Sequence, residues 1–419
     1  MSTGRPADVQ PTARDGARFA VTVLTMMNLL NYVDRYVPSA VKSQFQEEFK
    51  LSDFESSVPI TAFVFVYMFA SPVFGSLADR WPRKVVIAAG VALWSLATGA
   101  AAFATGFASF LVARALVGVG EAAYATLAPA LLADFYAPAR RNRVLTFFYV
   151  AIPVGSAIGF AVGGFVGEHY GWRAAFLVCG LPGVAAALLA LRIRDPGRGT
   201  FDADGGEPPR PWKSALRELA GNRMYVAAVG GYVLVTFANG IMADWYATFL
   251  TRRGMTLSEA GSLMGIVVVV AGIGGTAFGG WLGERIVGRT KHPYLAMCGM
   301  TMLAGAAFSV PAVLLHDSRA AVACAAVSQF LLWSYNGPLN AILVNCVPSA
   351  IRARAFSLSI LCIHAFGDAI SPAIAGLVSG PTGAHLPAAM LMVPLAAAAG
   401  ALVWLRAWRT IPGSAASPV

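Results

Sequence analysis

Twelve stretches of about twenty mostly apolar residues, separated by short polar turns, run from residue 18 to residue 408. About twenty helical residues cross the ~30 Å hydrocarbon core of a bilayer. The stretches are 18–40, 57–78, 84–104, 109–132, 143–167, 172–193, 223–250, 259–282, 292–315, 319–346, 354–379 and 386–408, here called spans 1 to 12. One long polar interruption divides them six and six. Its first part is rich in Pro, Gly and Asp and reads as a flexible linker. Its second part, WKSALRELAG, reads as a short amphipathic helix on the membrane surface. The pattern predicts a disordered tail (1–17), a six-helix bundle (18–195), a linker (196–222), a second bundle (223–410) and a second tail (411–419).

The two halves repeat. GSLADRWPRK after span 2 is echoed by GGWLGERIVGR after span 8, PARRNRV by SAIRARA, VGSAIGFAVGG by FGDAISPAIAG, and DRY of span 1 faintly by DWY of span 7. The offsets stay between 205 and 212 residues. The predicted fold is therefore an all-α membrane protein of twelve transmembrane helices in two pseudo-symmetric six-helix bundles. Their axis lies along the membrane normal, with a site between the bundles near the midplane.

Composition agrees: 57% of residues are hydrophobic, 12% are charged and mean hydropathy is +0.64. The 43 glycines suit close helix packing in lipid. The net charge of +10 points away from nucleic acid, because the cations sit in short turns between spans. With both termini placed in the cytoplasm, 23 Lys and Arg fall on the cytoplasmic side and 6 on the other. That asymmetry orients the chain, as expected for a bacterial inner-membrane protein. The N-terminal segment reads as a polar tail rather than a secretion signal. Five cysteines without metal-ligand spacing read as small buried hydrophobes. No nucleophile–base or metal constellation is present, so the expectation is no enzyme and no cofactor. The partners expected are a small amphipathic or anionic substrate, protons and membrane lipids, with the chain monomeric.

Charges inside spans carry the candidate chemistry, because each costs at least ~2.5–3.5 kcal/mol near the bilayer centre if unpaired. Asp34 and Arg35 are neighbours in span 1 and diverge by about 100° on a helix, so each needs a partner elsewhere. Span 4 offers Arg114 and Glu121, seven residues apart on one face. Arg114 lies at the depth of Asp34, and Glu121 lies deeper. One reading is a fixed structural network. The other has Asp34 or Glu121 exchanging protons while Arg35 and Arg114, with Tyr124 nearby, receive a ligand. His364 and Asp368, spaced i,i+4 on span 11, are cavity-lining candidates, and Asp244 is a weaker one.

Gly75, Asp79, Arg80, Arg83 and Lys84 fit the loop signature of the major facilitator superfamily, with Pro82 at the second glycine position. Asp79 is suited to the free N–H groups opening span 11, and Arg83 to Asp134 at the end of span 4. Together with the echo at Glu284 and Arg285, these contacts would latch the cytoplasmic side shut. RALVGVGE fits the arginine motif of span 4 in the same superfamily. NLLNYVDRYV, YMFASPVFGSLADRWPRK, ARALVGVGEAAYATLAPALLADFY, FYVAIPVGSAIGF and RDPGRG together resemble the spinster family within it. In span 5, Gly155, Gly159 and Gly163 resemble an antiporter-type motif, with Phe160 where proline is usual.

The spinster resemblance implies an alternating-access secondary transporter, proton-coupled, carrying a lysolipid or a sphingoid-phosphate-like lipid. Two alternatives stand beside it: a proton-coupled carrier of organic or sugar acids, and a lipid scramblase or membrane-embedded sensor.

Overall fold

The structure, a computed structural model, describes residues 15–77, 80–197, 211–286 and 289–412. Every regular element among them is a helix. Ten helices are long and apolar enough to cross a membrane: Asp53–Gly75, Arg83–Ala101, Phe107–Phe135, Arg143–Tyr170, Trp172–Ala190, Arg223–Thr251, Leu257–Ile286, Pro293–Leu314, Arg354–Ser379 and Leu386–Thr410. They correspond to spans 2–9, 11 and 12. Span 1 is the helix Ala17–Ala40, which carries Asp34 and Arg35. Span 10 is two helices, Ser318–Trp333 and Asn336–Asn345. The end of the molecule holding the helix Trp212–Gly221 is called here the linker side, and the other end the far side.

Within the first half, span 1 packs along span 5, and glycine makes this possible. A Cβ on Gly155 would lie 2.4 Å from the Leu29 carbonyl oxygen, and one on Gly159 would lie 2.6 Å from that of Val33. Small residues let the two backbones touch. Phe160, the departure from the motif, is fully buried and packs its ring 5.0 Å from that of Tyr36. Span 5 then meets span 8 across the halves, where a Cβ on Gly261 would lie 2.4 Å from the Phe160 carbonyl oxygen.

Two spans depart from regular α-helix. Span 8 widens into a π-helical turn over Val270–Gly275. Span 11 does so over His364–Asp368, where Gly367 has non-helical dihedrals (φ −107°, ψ −106°) and lies against Thr236 of span 7. π-turns inside helices often mark functional positions. The linker helix is Trp212–Gly221, with Ala215 and Leu219 buried and Trp212 exposed, as its amphipathic pattern predicts.

Candidate functional site

The central charges are held by spans 1 and 4, and the pairing differs from the one depth alone suggests. Arg35 is the residue that meets Glu121, with Nη2 donating at 2.6 Å and Nε at 3.2 Å to Oε2. Glu121 is fully buried, and Arg35 keeps 19% of its side chain exposed. Three aromatic rings surround the guanidinium, those of Tyr32, Phe63 and Tyr67, with centroids 4.8, 5.0 and 5.4 Å from Cζ. Ring faces stabilise a cation without competing for its hydrogen bonds.

Asp34 turns the other way, into the interior of the first bundle, and is 1% exposed. Neither of its carboxylate oxygens makes a hydrogen bond of good geometry among the described residues; the donor that acts on it is the indole N–H of Trp94, and no arginine reaches it. Arg114, also 1% exposed, has Nε and Nη1 without partners and sits over the Phe63 ring at 5.4 Å. The charges of Glu121 and Arg114 act on Asp34 across this space. The expected Asp34–Arg114 pair is therefore not made; the i,i+1 divergence sends Arg35, and not Asp34, to span 4. The site holds two carboxylates and two guanidiniums, one pair joined and the other apart.

Tyr124, expected to face substrate, is 1% exposed and gives its hydroxyl proton to the Leu24 carbonyl at 2.5 Å. Its ring packs edge-on to Trp94, so it ties span 4 to span 1 in the core. In the second half, His364 Nδ1 lies 2.9 and 3.1 Å from the two carboxylate oxygens of Asp368. Both side chains are partly exposed, and the His364 ring lies 6.2 Å from Tyr67 of the first half. This pair thus faces the aromatic surround of Arg35 across the interface between halves. No group of three or more metal-ligating side chains occurs among the described residues.

The linker-side motif is described in part. Asp79 lies outside the described residues. Arg83 Nη1 meets Asp134 Oδ2 at 2.5 Å, as expected, and also forks onto Asp195 through Nε and Nη2 at 3.0 and 2.5 Å. All three residues belong to the first half, so these contacts fasten spans 3, 4 and 6 together. Arg80, Glu284 and Arg285 are exposed, the last over the Trp281 ring. Gly75 faces the Thr126 methyl at an ordinary 3.8 Å from an added Cβ, so no close approach requires glycine there.

Among the described residues, polar contacts between the halves gather at the far side. Lys42, 1% exposed, donates to Asp244 at 2.5 Å and to Ser57 at 2.8 Å, with its ammonium 3.4 Å from the centroid of the Trp245 ring. Ser39 and Ser57 also donate to Asp244. Close by, Arg252 forks onto Asp53 at 2.8 and 2.5 Å, and Asp53 further accepts from Gln46 and Ser379. Asp244 is thus one end of a buried inter-bundle ion pair rather than a cavity residue. The faint DRY/DWY echo pointed to its position, but nothing local pointed to Lys42, 202 residues away.

A twelve-span helical fold split in two, intramembrane charges in the first half and polar contacts between halves at one end define a membrane transporter. Residues 24–372 match the profile of the Major Facilitator Superfamily, and the chain belongs to that superfamily. Within it, the chain belongs to the spinster family. It is 34% identical over 383 residues to Protein spinster homolog 1 of Homo sapiens, covering 86% of this chain and 72% of that protein. It is 32% identical over 380 residues to Protein spinster of Drosophila melanogaster, covering 88% of this chain but only 63% of that longer protein.

Among solved structures, it resembles the inward-facing, occupied form of a bacterial homologue of the human lysosomal transporter Spinster. The TM-score is 0.82 at 22% identity, over 95% of this chain and 98% of that one. A D-xylose–proton symporter shares the fold at TM-score 0.73 and 16% identity, over 94% and 98% of the two chains.

Proposed function

We propose that this chain is a proton-coupled secondary transporter that moves an amphipathic lipid with an anionic head by alternating access. The observation that carries the reading is the unmade pair. Asp34 and Arg114 are opposite charges, both buried and both with unpartnered polar atoms, beside the joined Arg35–Glu121 pair. A purely structural network would be expected to close both pairs, since an uncompensated buried charge is strongly destabilising. Carboxylates that change partners as the halves move can take up and release protons. An arginine freed from its carboxylate presents two parallel N–H donors to a phosphate or carboxylate.

With the linker side cytoplasmic, the far-side contacts support an inward-facing reading in which the Lys42–Asp244 and Arg252–Asp53 pairs serve as the outer lock. The lipid is the cargo that the spinster resemblance implies. The sugar symporter shares the fold alone and gives no support to sugar as cargo.

The proton role is tested at Asp34. Asp34→Asn, reconstituted in proteoliposomes, is expected to lose the pH dependence of net lysolipid flux while retaining counterflow exchange. Wild-type pH dependence in this variant would move the proton to Glu121.

A further inference from the structure

Away from the central charges, a cavity of about 50 Å³ lies where span 1 meets spans 7, 8 and 10 of the second half. Tyr36, Met242, Val267 and Trp333 line it, together with two carboxamides, Asn239 and Gln329. Gln329 is 6% exposed, and its Nε2 has no hydrogen-bond partner among the described residues. The buried Oδ1 of Asn239 has none either. A buried amide left without a partner costs about 1–3 kcal/mol. Two such groups facing one cavity call for something that satisfies both.

The chemistry of that something is restricted. The lining contains no acidic or basic side chain. As placed, Gln329 turns an N–H donor to the cavity and Asn239 a C=O acceptor. An anion could accept from Gln329 but would face the lone pairs of Asn239. A cation could donate to Asn239 but would face the N–H groups of Gln329. A hydroxyl donates and accepts at once and carries no charge. The volume has room for a group of that size and none for an acyl chain, for which the methionine and valine walls would otherwise be suitable.

The cavity is also placed to serve the central site. Tyr36 follows Arg35 directly, and both Arg35 and Asp368 act electrostatically on its hydroxyl. A ligand anchored by its anion at the arginines of the first half could therefore reach the amides of the second.

We infer that Gln329 and Asn239 form a neutral subsite that binds a hydroxyl of the transported molecule. The inference rests on the carrier reading above and narrows its substrate to an anionic amphiphile with a free hydroxyl in its head group. It also makes the bound molecule span both halves, which ties occupancy to their relative movement.

The test compares paired ligands that differ only in hydroxylation, measured by competition binding to the purified full-length protein. One pair is 1-oleoyl-lysophosphatidate and its 2-deoxy analogue; the other is gluconate and hexanoate. Losing one neutral hydrogen-bond pair corresponds to about a tenfold change in affinity. Wild-type protein is expected to prefer the hydroxylated lipid by about that factor. Gln329→Met, which keeps length and removes the amide, and Asn239→Leu are each expected to abolish the preference while leaving deoxy affinity unchanged. The ratio within one variant does not depend on the fraction folded. A preference that survives in both variants, or that wild type never shows, overturns the subsite and leaves the carrier reading standing. No lysolipid binding, with a preference for gluconate that Gln329→Met abolishes, keeps the subsite and removes the lipid.

Discussion

Glu121→Gln should lower the melting temperature of the detergent-solubilised protein by several degrees, and adding Arg35→Gln should restore most of the loss. Arg35 donates twice to one oxygen of Glu121, whose side chain is fully buried. Removing one member of a buried pair strands the other, at about 3–5 kcal/mol. The three rings around Arg35 and its 19% exposure offset part of this. The double variant removes the stranded charge, so stability should recover. Affinity for an anionic lipid should not recover, because the guanidinium that would meet the head group is gone. Recovery of both quantities would make the pair a structural strut. The same comparison applies to Arg114, where Arg114→Lys keeps the charge but loses the planar fork.

The second large effect is expected at the far side. Asp244→Asn leaves Lys42 buried over Trp245 with Ser57 as its remaining hydrogen-bond partner and the Asp53 charge acting only at a distance. At a cost near 3 kcal/mol in the closed form, the closed-to-open ratio should fall by about a hundredfold. Spin labels at Lys50 and His316, one in each half, should report the longer distance as the main population. Unchanged distances would mean that Arg252 and Asp53 hold the halves alone.

Lys42 also gives this equilibrium a pH dependence of defined sign. Burial pushes its ammonium down to about 8, with Asp244 opposing the fall; a solvated lysine titrates near ~10.4. Between those values the open form holds a proton that the closed form has lost, so raising the pH favours closure. Below about pH 8 both forms are protonated and the dependence vanishes. The short-distance population should therefore grow from pH 8 to pH 10 in the wild type.

The spans, the duplication and the charged positions were legible because each depends on local composition: runs of apolar residues, glycines at close crossings, ionisable groups inside spans. Which charges meet depends on azimuth as well as depth. Depth could be counted from the span ends, and it placed Arg114 level with Asp34. The rotation of span 1 against span 4 is set by its packing on span 5 through Gly155 and Gly159, and it brings Arg35 to Glu121 instead. The Lys42–Asp244 pair escaped for a related reason. Lys42 reads as one cation in an outer turn, and only the closing of the two halves buries it.

The π-turns of spans 8 and 11 were not read either. A glycine-rich helical pattern is compatible with regular helix, and the widening at Gly367 is set by where span 7 presses on it. Tyr124 illustrates the opposite error. Its place near Glu121 in sequence suggested the cavity, whereas its hydroxyl is committed to Leu24 inside the bundle.

The most direct test of the account is accumulation of lysophospholipid against its gradient in proteoliposomes, with and without an imposed pH difference. A proton-coupled carrier should concentrate the lipid only when the pH gradient is present, and a protonophore should collapse the accumulation. Movement that proceeds equally without the gradient and never exceeds equilibration would contradict proton-coupled transport and identify a passive lipid pathway.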